Sequence, residues 1–297
     1  MIKLDTKRIL IPLDFSTTAA KAIKHGALMA KHSNGELFLL YVRRKDSALN
    51  LAPSTAELRQ IAADSESYKR LMEDTAQRIR NQYDIPVKVL VTVGGRISEI
   101  MNVAEKRKIG LIVMGTEGSD SVSNLFSGSN SHRVVSKSEI PVMTIRTDFK
   151  KEGYTTILLP IDLSEHTRQK VNVAIQIAKM HTAKIQLLGL LSQSQESSRT
   201  KLLAFLKQIE KRIKADEIPV SSEVIQTNDA ITRTLIYAKQ KKADIIITMT
   251  DQQAGSSAFL SKSYDHALVD ESAIPVLSIP PEIHEENIEP ASIGGLW

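Results

Sequence analysis

Residues 9–16 read ILIPLDFS and residues 157–164 read ILLPIDLS: one apolar stretch with proline at its fourth place and a closing Asp-x-Ser, repeated at an offset of 148. Two further pairs keep the same order. IPVKV at 85 matches IPVSS at 218, and EIPVMTIR at 139–146 matches AIPVLSIP at 273–280, now at an offset of 134. Self-similarity in a fixed order marks a duplicated domain. The offset shrinks because the second copy is about 14 residues shorter between its second and third apolar runs, and surface loops absorb such changes at little cost.

Each copy alternates short apolar runs with helical patterns. Ile9 to Asp14 is unbroken and apolar, as a parallel strand buried on both faces should be. Ser16 can cap a helix through Lys31, whose Ala20, Ile23, Ala27 and Ala30 share a face. The pattern then predicts a strand at Leu37–Val42, a helix near 64–82, a strand at Val87–Val93, a helix at 97–108 and a strand at Leu111–Met114. A loop, a helix over 129–138 and a strand at Val142–Arg146 complete the first copy. The second copy repeats the order, with strands near 157–162, 185–191, 220–226, 245–249 and 276–279. Strict alternation implies parallel strands, right-handed crossovers and helices on both faces. The fold class is therefore α/β: two tandem, doubly wound five-stranded parallel sheets. The domains are expected at 1–148 and 154–281, followed by an acidic tail at 282–297. In sheets of this class ligands sit beyond the carboxyl ends of the strands.

Composition narrows the chemistry. The 297 residues include no cysteine, which removes disulfides, thiolate nucleophiles and thiolate metal sites. The first residues do not read as a signal peptide, and the longest apolar runs, about six residues, are too short for the roughly 20 that span a bilayer. A cytoplasmic protein without membrane association is expected. The formal charge is +5. Its lysine clusters (Lys150 and Lys151; Lys239, Lys241 and Lys242) lack interleaved aromatics, so they read as a solvated linker and solvated helix ends and argue against a nucleic-acid partner.

The chemistry concentrates after the fourth strand of the first copy, in MGTEGSDSVSNLFSGSNSHRVV. Gly115 and Gly118 are separated by two residues, and nine residues separate Gly118 from Gly128. Gly115 and Gly118 are expected to take positive φ and to let backbone approach a ligand. Gly128, Ser129 and Asn130 open a helix whose free N–H groups favour an anion.

The pattern Gly115-x2-Gly118-x9-Gly128-Ser129, preceded by IVMG and followed by IPVMTIR, resembles the ATP-binding signature of the universal stress protein family. Pro12-Leu13-Asp14-Phe15-Ser16 is similar to that family's first strand, and the likeness extends over both halves. The resemblance implies an adenine nucleotide alpha hydrolase-like sheet of order 3-2-1-4-5 and a regulatory protein that binds ATP or another adenine nucleotide, with no catalytic residue of its own. By position, Pro12 and Asp14 would lie beside the nucleotide, with Asp14 near ribose and phosphates, through Mg where a metal is bound. Val42 would offer backbone to adenine, Met114 and Gly115 would line the cleft, and Gly118, Gly128, Ser129 and Asn130 would cradle the phosphates. The family also pairs domains through fifth strands, here 142–146 and 275–279 within one chain. A protein partner is implied without being identified. Two rival readings remain: a nucleotide-independent scaffold, and a slow ATPase or autophosphorylating protein.

Alignment of the copies places Met249 opposite Gly115, Gln252 opposite Gly118 and Lys262 opposite Gly128, so the second phosphate loop reads as degenerate. Asp162 and Ser263 stand opposite Asp14 and Ser129. Asp244 stands opposite Gly110, a difference expected to affect the start of a strand and not the site. His132 and His266 occupy equivalent places and read as solvated helix histidines. His25, His32, His166, His181 and His284 are scattered and suggest no cluster.

Overall fold

The computed structural model describes residues 2–43, 55–116, 128–146, 149–151, 153–250 and 262–282. Gly118, Gln252, the serines of the glycine-rich loop before Gly128, and the tail beyond Glu282 lie outside them. The first half runs β1 (Arg8–Leu13), α1 (Thr17–His32), β2 (Glu36–Arg43), α2 (Thr55–Tyr83), β3 (Val87–Val93), α3 (Arg96–Lys106), β4 (Leu111–Thr116), α4 (Gly128–Lys137) and β5 (Val142–Arg146). The second runs β6 (Thr156–Ile161), α5 (Lys170–His181), β7 (Lys184–Leu191), α6 (Arg199–Lys214), β8 (Val220–Gln226), α7 (Ala230–Gln240), β9 (Ile245–Met249), α8 (Lys262–Glu271) and β10 (Val276–Ile279).

Strand composition explains the layering. In β1, Ile9, Ile11 and Leu13 join a core built with Ala22, Ala30, Met72 and Ala76 of α1 and α2. Leu10, pointing the other way, joins a second core with Ile100, Val103 and Val134 of α3 and α4. Both faces are covered, so both alternating sets must be apolar. Ser16 caps α1 as its position suggests, its Oγ accepting from the Ala19 N–H at 3.2 Å.

Each half has the order 3-2-1-4-5, and the halves join in one ten-stranded sheet, β3-β2-β1-β4-β5-β10-β9-β6-β7-β8. All pairings within a half are parallel. At the junction β10 pairs with β5 antiparallel, Val276 opposite Thr144 and Ser278 opposite Val142. Two apolar edge strands that would otherwise expose unpaired backbone cover each other. Among the described residues no helix is long and apolar enough to cross a membrane.

Several elements depart from expectation. The second helix begins at Thr55 instead of near 64; a Ser54-x2-Glu57 capping pattern lay in the segment read as loop. β4 extends through Gly115, which pairs with Ile145, to Thr116. In the second copy the counterpart of α1 is broken: a short 3-10 segment, Glu165–Arg168, precedes α5. The linker is also not simply solvated. Phe149 and Tyr154 are buried, each contributing about 1.5–3 kcal/mol through burial. The Lys151 ammonium pairs with Asp244.

The histidines provide a larger correction. His25 Nδ1 meets Tyr154 Oη at 3.0 Å. His181 lies edge-on to both His32 (5.1 Å between centroids) and Tyr154 (4.9 Å). Residues from α1, the linker and the end of α5 thus form one cluster at the junction. They are far apart in sequence, so no local pattern could assemble them.

Candidate functional site

The carboxyl ends of β1 and β2 open into a cavity of about 160 Å³ whose lining includes Pro12, Asp14, Tyr41, Val42, Tyr68 and Arg96. Three of the residues proposed from sequence, Pro12, Asp14 and Val42, therefore share one space. Met114 is fully buried in the core beneath it. Gly128, Ser129 and Asn130 form the helical backbone of the first turn of α4.

Asp14 is held by its own turn. Its Oδ1 accepts from the Ser16 N–H at 3.0 Å, while Ser16 Oγ pairs with Thr18 Oγ1 at 2.8 Å. Between them Phe15 takes φ 61°, a left-handed conformation that a bulky side chain adopts only where the surroundings hold it. The turn projects Phe15 to a surface position, 40% exposed, beside Tyr41 (5.4 Å) and Tyr68 (6.1 Å), which themselves stack at 4.4 Å. Burial and the neighbouring Tyr68 push the Tyr41 hydroxyl up to about 12, so it is neutral at physiological pH. This aromatic cluster was absent from the sequence reading, because Tyr68 lies on α2, far along the chain from both partners.

Gly115 does not take the positive φ expected of it; it is a strand residue. A Cβ there would lie 2.6 Å from Thr18 Cβ, 2.8 Å from the Thr18 carbonyl carbon and 3.0 Å from its oxygen. The glycine allows the first turn of α1 to rest against β4, which brings the N-terminus of α1 to the cavity edge.

The second copy has a different interior at the equivalent place. Lys170, opposite Ala22, is 1% exposed, and Asp162 and Asp265 are also buried. Burial lowers the Lys170 ammonium to about 8 against the attraction of both carboxylates. Burial raises the Asp265 carboxyl to about 7, opposed by a hydrogen bond from Ser278 Oγ (2.8 Å) and by Lys170. Asp265 Oδ2 is buried without a hydrogen-bond partner. Tyr264 Oη meets Thr234 Oγ1 at 2.8 Å beside this group. Comparison of the copies carried the signal: Ala22 became Lys170 and Ser131 became Asp265, charges at positions that are buried in the first copy.

A third arrangement spans the junction. His132 and His266 stack at 4.9 Å with 14° between their rings. His132 Nε2 lies 2.6 Å from Asp270 Oδ1, and His266 Nε2 lies 2.6 Å from Ser136 Oγ. Asp270 is the counterpart of Ser136, so the two contacts are related by the pseudo-two-fold. Both histidines are half-buried and not solvated, since α4 packs on α8. Among the described residues, no group of three or more His, Asp or Glu side chains can hold a metal ion.

Comparison with known proteins agrees with this architecture. The sequence profile of the universal stress protein family matches residues 5–146 and again residues 153–280. A universal stress protein of Methanocaldococcus jannaschii is 29% identical over 147 residues, 49% of this chain and 85% of that protein. A second from the same organism is 28% identical over 153 residues, 47% of this chain and 94% of that protein. Among solved structures, a universal stress protein from Archaeoglobus fulgidus superposes with a TM-score of 0.73 at 18% identity, over 93% of this chain and 98% of that one. At that identity the match speaks for fold alone. With two profile matches that together span nearly its whole length, this chain belongs to the universal stress protein family and carries two of its domains in tandem.

Proposed function

We propose that the first domain binds an adenine nucleotide, ATP foremost, and that the second is its structural or partner-binding mate. The whole acts as a cytoplasmic stress-response regulator whose nucleotide occupancy alters conformation or partner affinity. The observation that carries this reading is the meeting of Pro12, Asp14 and Val42 in one cavity, at the strand edge from which the loop between β4 and α4 departs. At about 160 Å³ the cavity is smaller than the roughly 300 Å³ of ordinary ligand sites. It suits the base, with ribose and phosphates extending toward Gly115 and the Gly128-Ser129-Asn130 turn, and with Gly118 proposed for the same cradle.

The donor set suits Mg held jointly with the nucleotide. Among the described residues lining the cavity Asp14 is the one carboxylate, with Oδ1 already engaged by the Ser16 amide. Mg commonly takes one or two carboxylates and fills its remaining places with phosphate and water. Bound there, it would offset the repulsion between Asp14 and the phosphates. Asp14 would orient it, Arg96 would add positive charge at the rim, and the N-terminus of α4 would receive phosphate oxygens. No general base or arginine finger is assigned, so the proposed role is binding and not hydrolysis.

Equilibrium titration of the full chain with labelled ATP and Mg tests the reading. One equivalent per chain is expected, weakened at least about tenfold by Gly118→Lys, which places a side chain in the cradle. Two equivalent sites, or none, would overturn it.

A further inference from the structure

A groove runs along the second domain between the 3-10 segment, α5 and α6. One part, about 370 Å³, is lined by Val171, Phe205, Ile209 and Glu282 among others. An adjoining part includes Leu163, Ser164, Lys201 and Ala204 and shares Arg168, Phe205 and Gln208 with the first. Its floor is apolar and its rim cationic. The Arg168 guanidinium lies 4.3 Å from the Phe205 ring centroid, and Arg168 and Lys201 are exposed.

The chain itself is led to this groove. β10 runs parallel to β9 and β6, so it ends at their carboxyl edge. Two residues beyond Pro280, the side chain of Gln169 grips the backbone of Glu282 at both polar atoms. The Gln169 amide donates to the Glu282 carbonyl at 3.0 Å, and its oxygen accepts from the Glu282 N–H at 2.9 Å. This paired contact anchors Glu282, the last described residue, at the groove. The sequence that follows, IHEENIEPASIGGLW, combines glutamates at 285, 286 and 289 with Ile283, Ile288, Ile293, Leu296 and Trp297. Its 15 residues can reach about 50 Å when extended, more than enough to follow the groove toward Ser164.

We infer that this groove is the docking site of the chain's own segment 283–297. The isoleucines meet the floor formed by Val171, Phe205 and Ile209, and the glutamates meet Arg168 and Lys201. Apolar anchors within a complementary charged rim are the ordinary means of docking an extended segment. Because Ser164 follows Asp162, the docked segment lies across the carboxyl edge of the second domain.

The absence of native cysteine makes the test clean. In the full-length chain, Ser292→Cys is combined with Gln208→Cys in the groove or, as control, with Ser98→Cys on the first domain. Docking predicts that the intrachain disulfide with residue 208 forms at least about tenfold faster than with residue 98, as expected for an elevated local concentration. Arg168→Glu with Lys201→Glu, both at exposed positions, should slow it about threefold per reversed charge. Equal rates for 208 and 98 would overturn the inference. So would a disulfide that forms only between chains and fades on dilution, which would make a second copy the occupant. A rate unmoved by the charge reversals would remove the proposed rim contacts and overturn it too.

Discussion

The two domains share strand order and helix placement yet solve the same positions in opposite ways. At the start of the fourth strand, the first domain has Gly110, where a Cβ would lie 2.2 Å from the Asp5 carbonyl oxygen. The second has Asp244, 1% exposed, which accepts from Thr155 N (2.7 Å), Thr155 Oγ1 (2.6 Å) and Thr156 N (3.0 Å) and pairs with Lys151. One domain admits the N-terminal segment by removing a side chain; the other fastens the linker by adding a carboxylate. Gly115 lets α1 start close to β4, whereas the second domain has Met249 at that position and begins its helix with a separate 3-10 segment before α5. Where the first domain has Ala22 and Ser131, the second has Lys170 and Asp265. The two copies keep one scaffold, and at these buried positions the second holds charges where the first has small side chains.

The largest expected effect tests that internal charge group. Lys170→Ala leaves Asp162 and Asp265 without their buried cation and should cost about 3–5 kcal/mol in urea unfolding. Adding Asp265→Ser, which completes the first domain's pair, should recover most of the loss. If the double variant is no more stable than the single, the charges are not coupled. Next, Asp244→Ala strands buried donors of the linker and should cost about 3 kcal/mol. A loss below about 0.5 kcal/mol would show that the linker is held by Phe149 and Tyr154 alone.

Writing the second domain's residue into the first, Gly115→Met should displace the first turn of α1 and weaken ATP binding about 100-fold, with 1–3 kcal/mol of overpacking, values on the order of those for inserting side chains into packed sites. Unchanged affinity would mean that the Thr18 contact does not shape the site. The smallest effect is in acid. Burial, followed by repulsion from His32, lowers His181 to about 4 from 6.5. A depressed histidine contributes stability that is present above its unfolded pKa and lost as pH falls through the folded one. Stability should therefore fall between pH 6.5 and about 4 by about 2 kcal/mol, after discounting for partial exposure. His181→Leu should remove that slope. A slope equal to wild type would place the acid-sensitive group elsewhere.

What was legible in the sequence was what local pattern encodes. The repeat, the ten strands and the Ser16 cap follow from apolar runs, helical periodicity and short-range capping, all written over a few neighbouring residues. The closeness of Pro12, Asp14 and Val42 at neighbouring strand ends was legible too, while the nucleotide role given to them came from the family resemblance alone. The loop between β4 and α4 remains a sequence-based assignment at Gly118. Tertiary structure alone decided the rest. The left-handed turn at Phe15 and its cluster with Tyr41 and Tyr68, the His25–Tyr154–His181 cluster, the stacked His132 and His266, and the burial of Lys170 against Asp265 all join residues dozens of positions apart. Their meeting depends on which helix packs over which strand, and on the antiparallel joining of β5 to β10. Gly115 shows the division most plainly: its spacing marked it as special, while its reason, the closeness of Thr18, exists only once α1 has packed on β4.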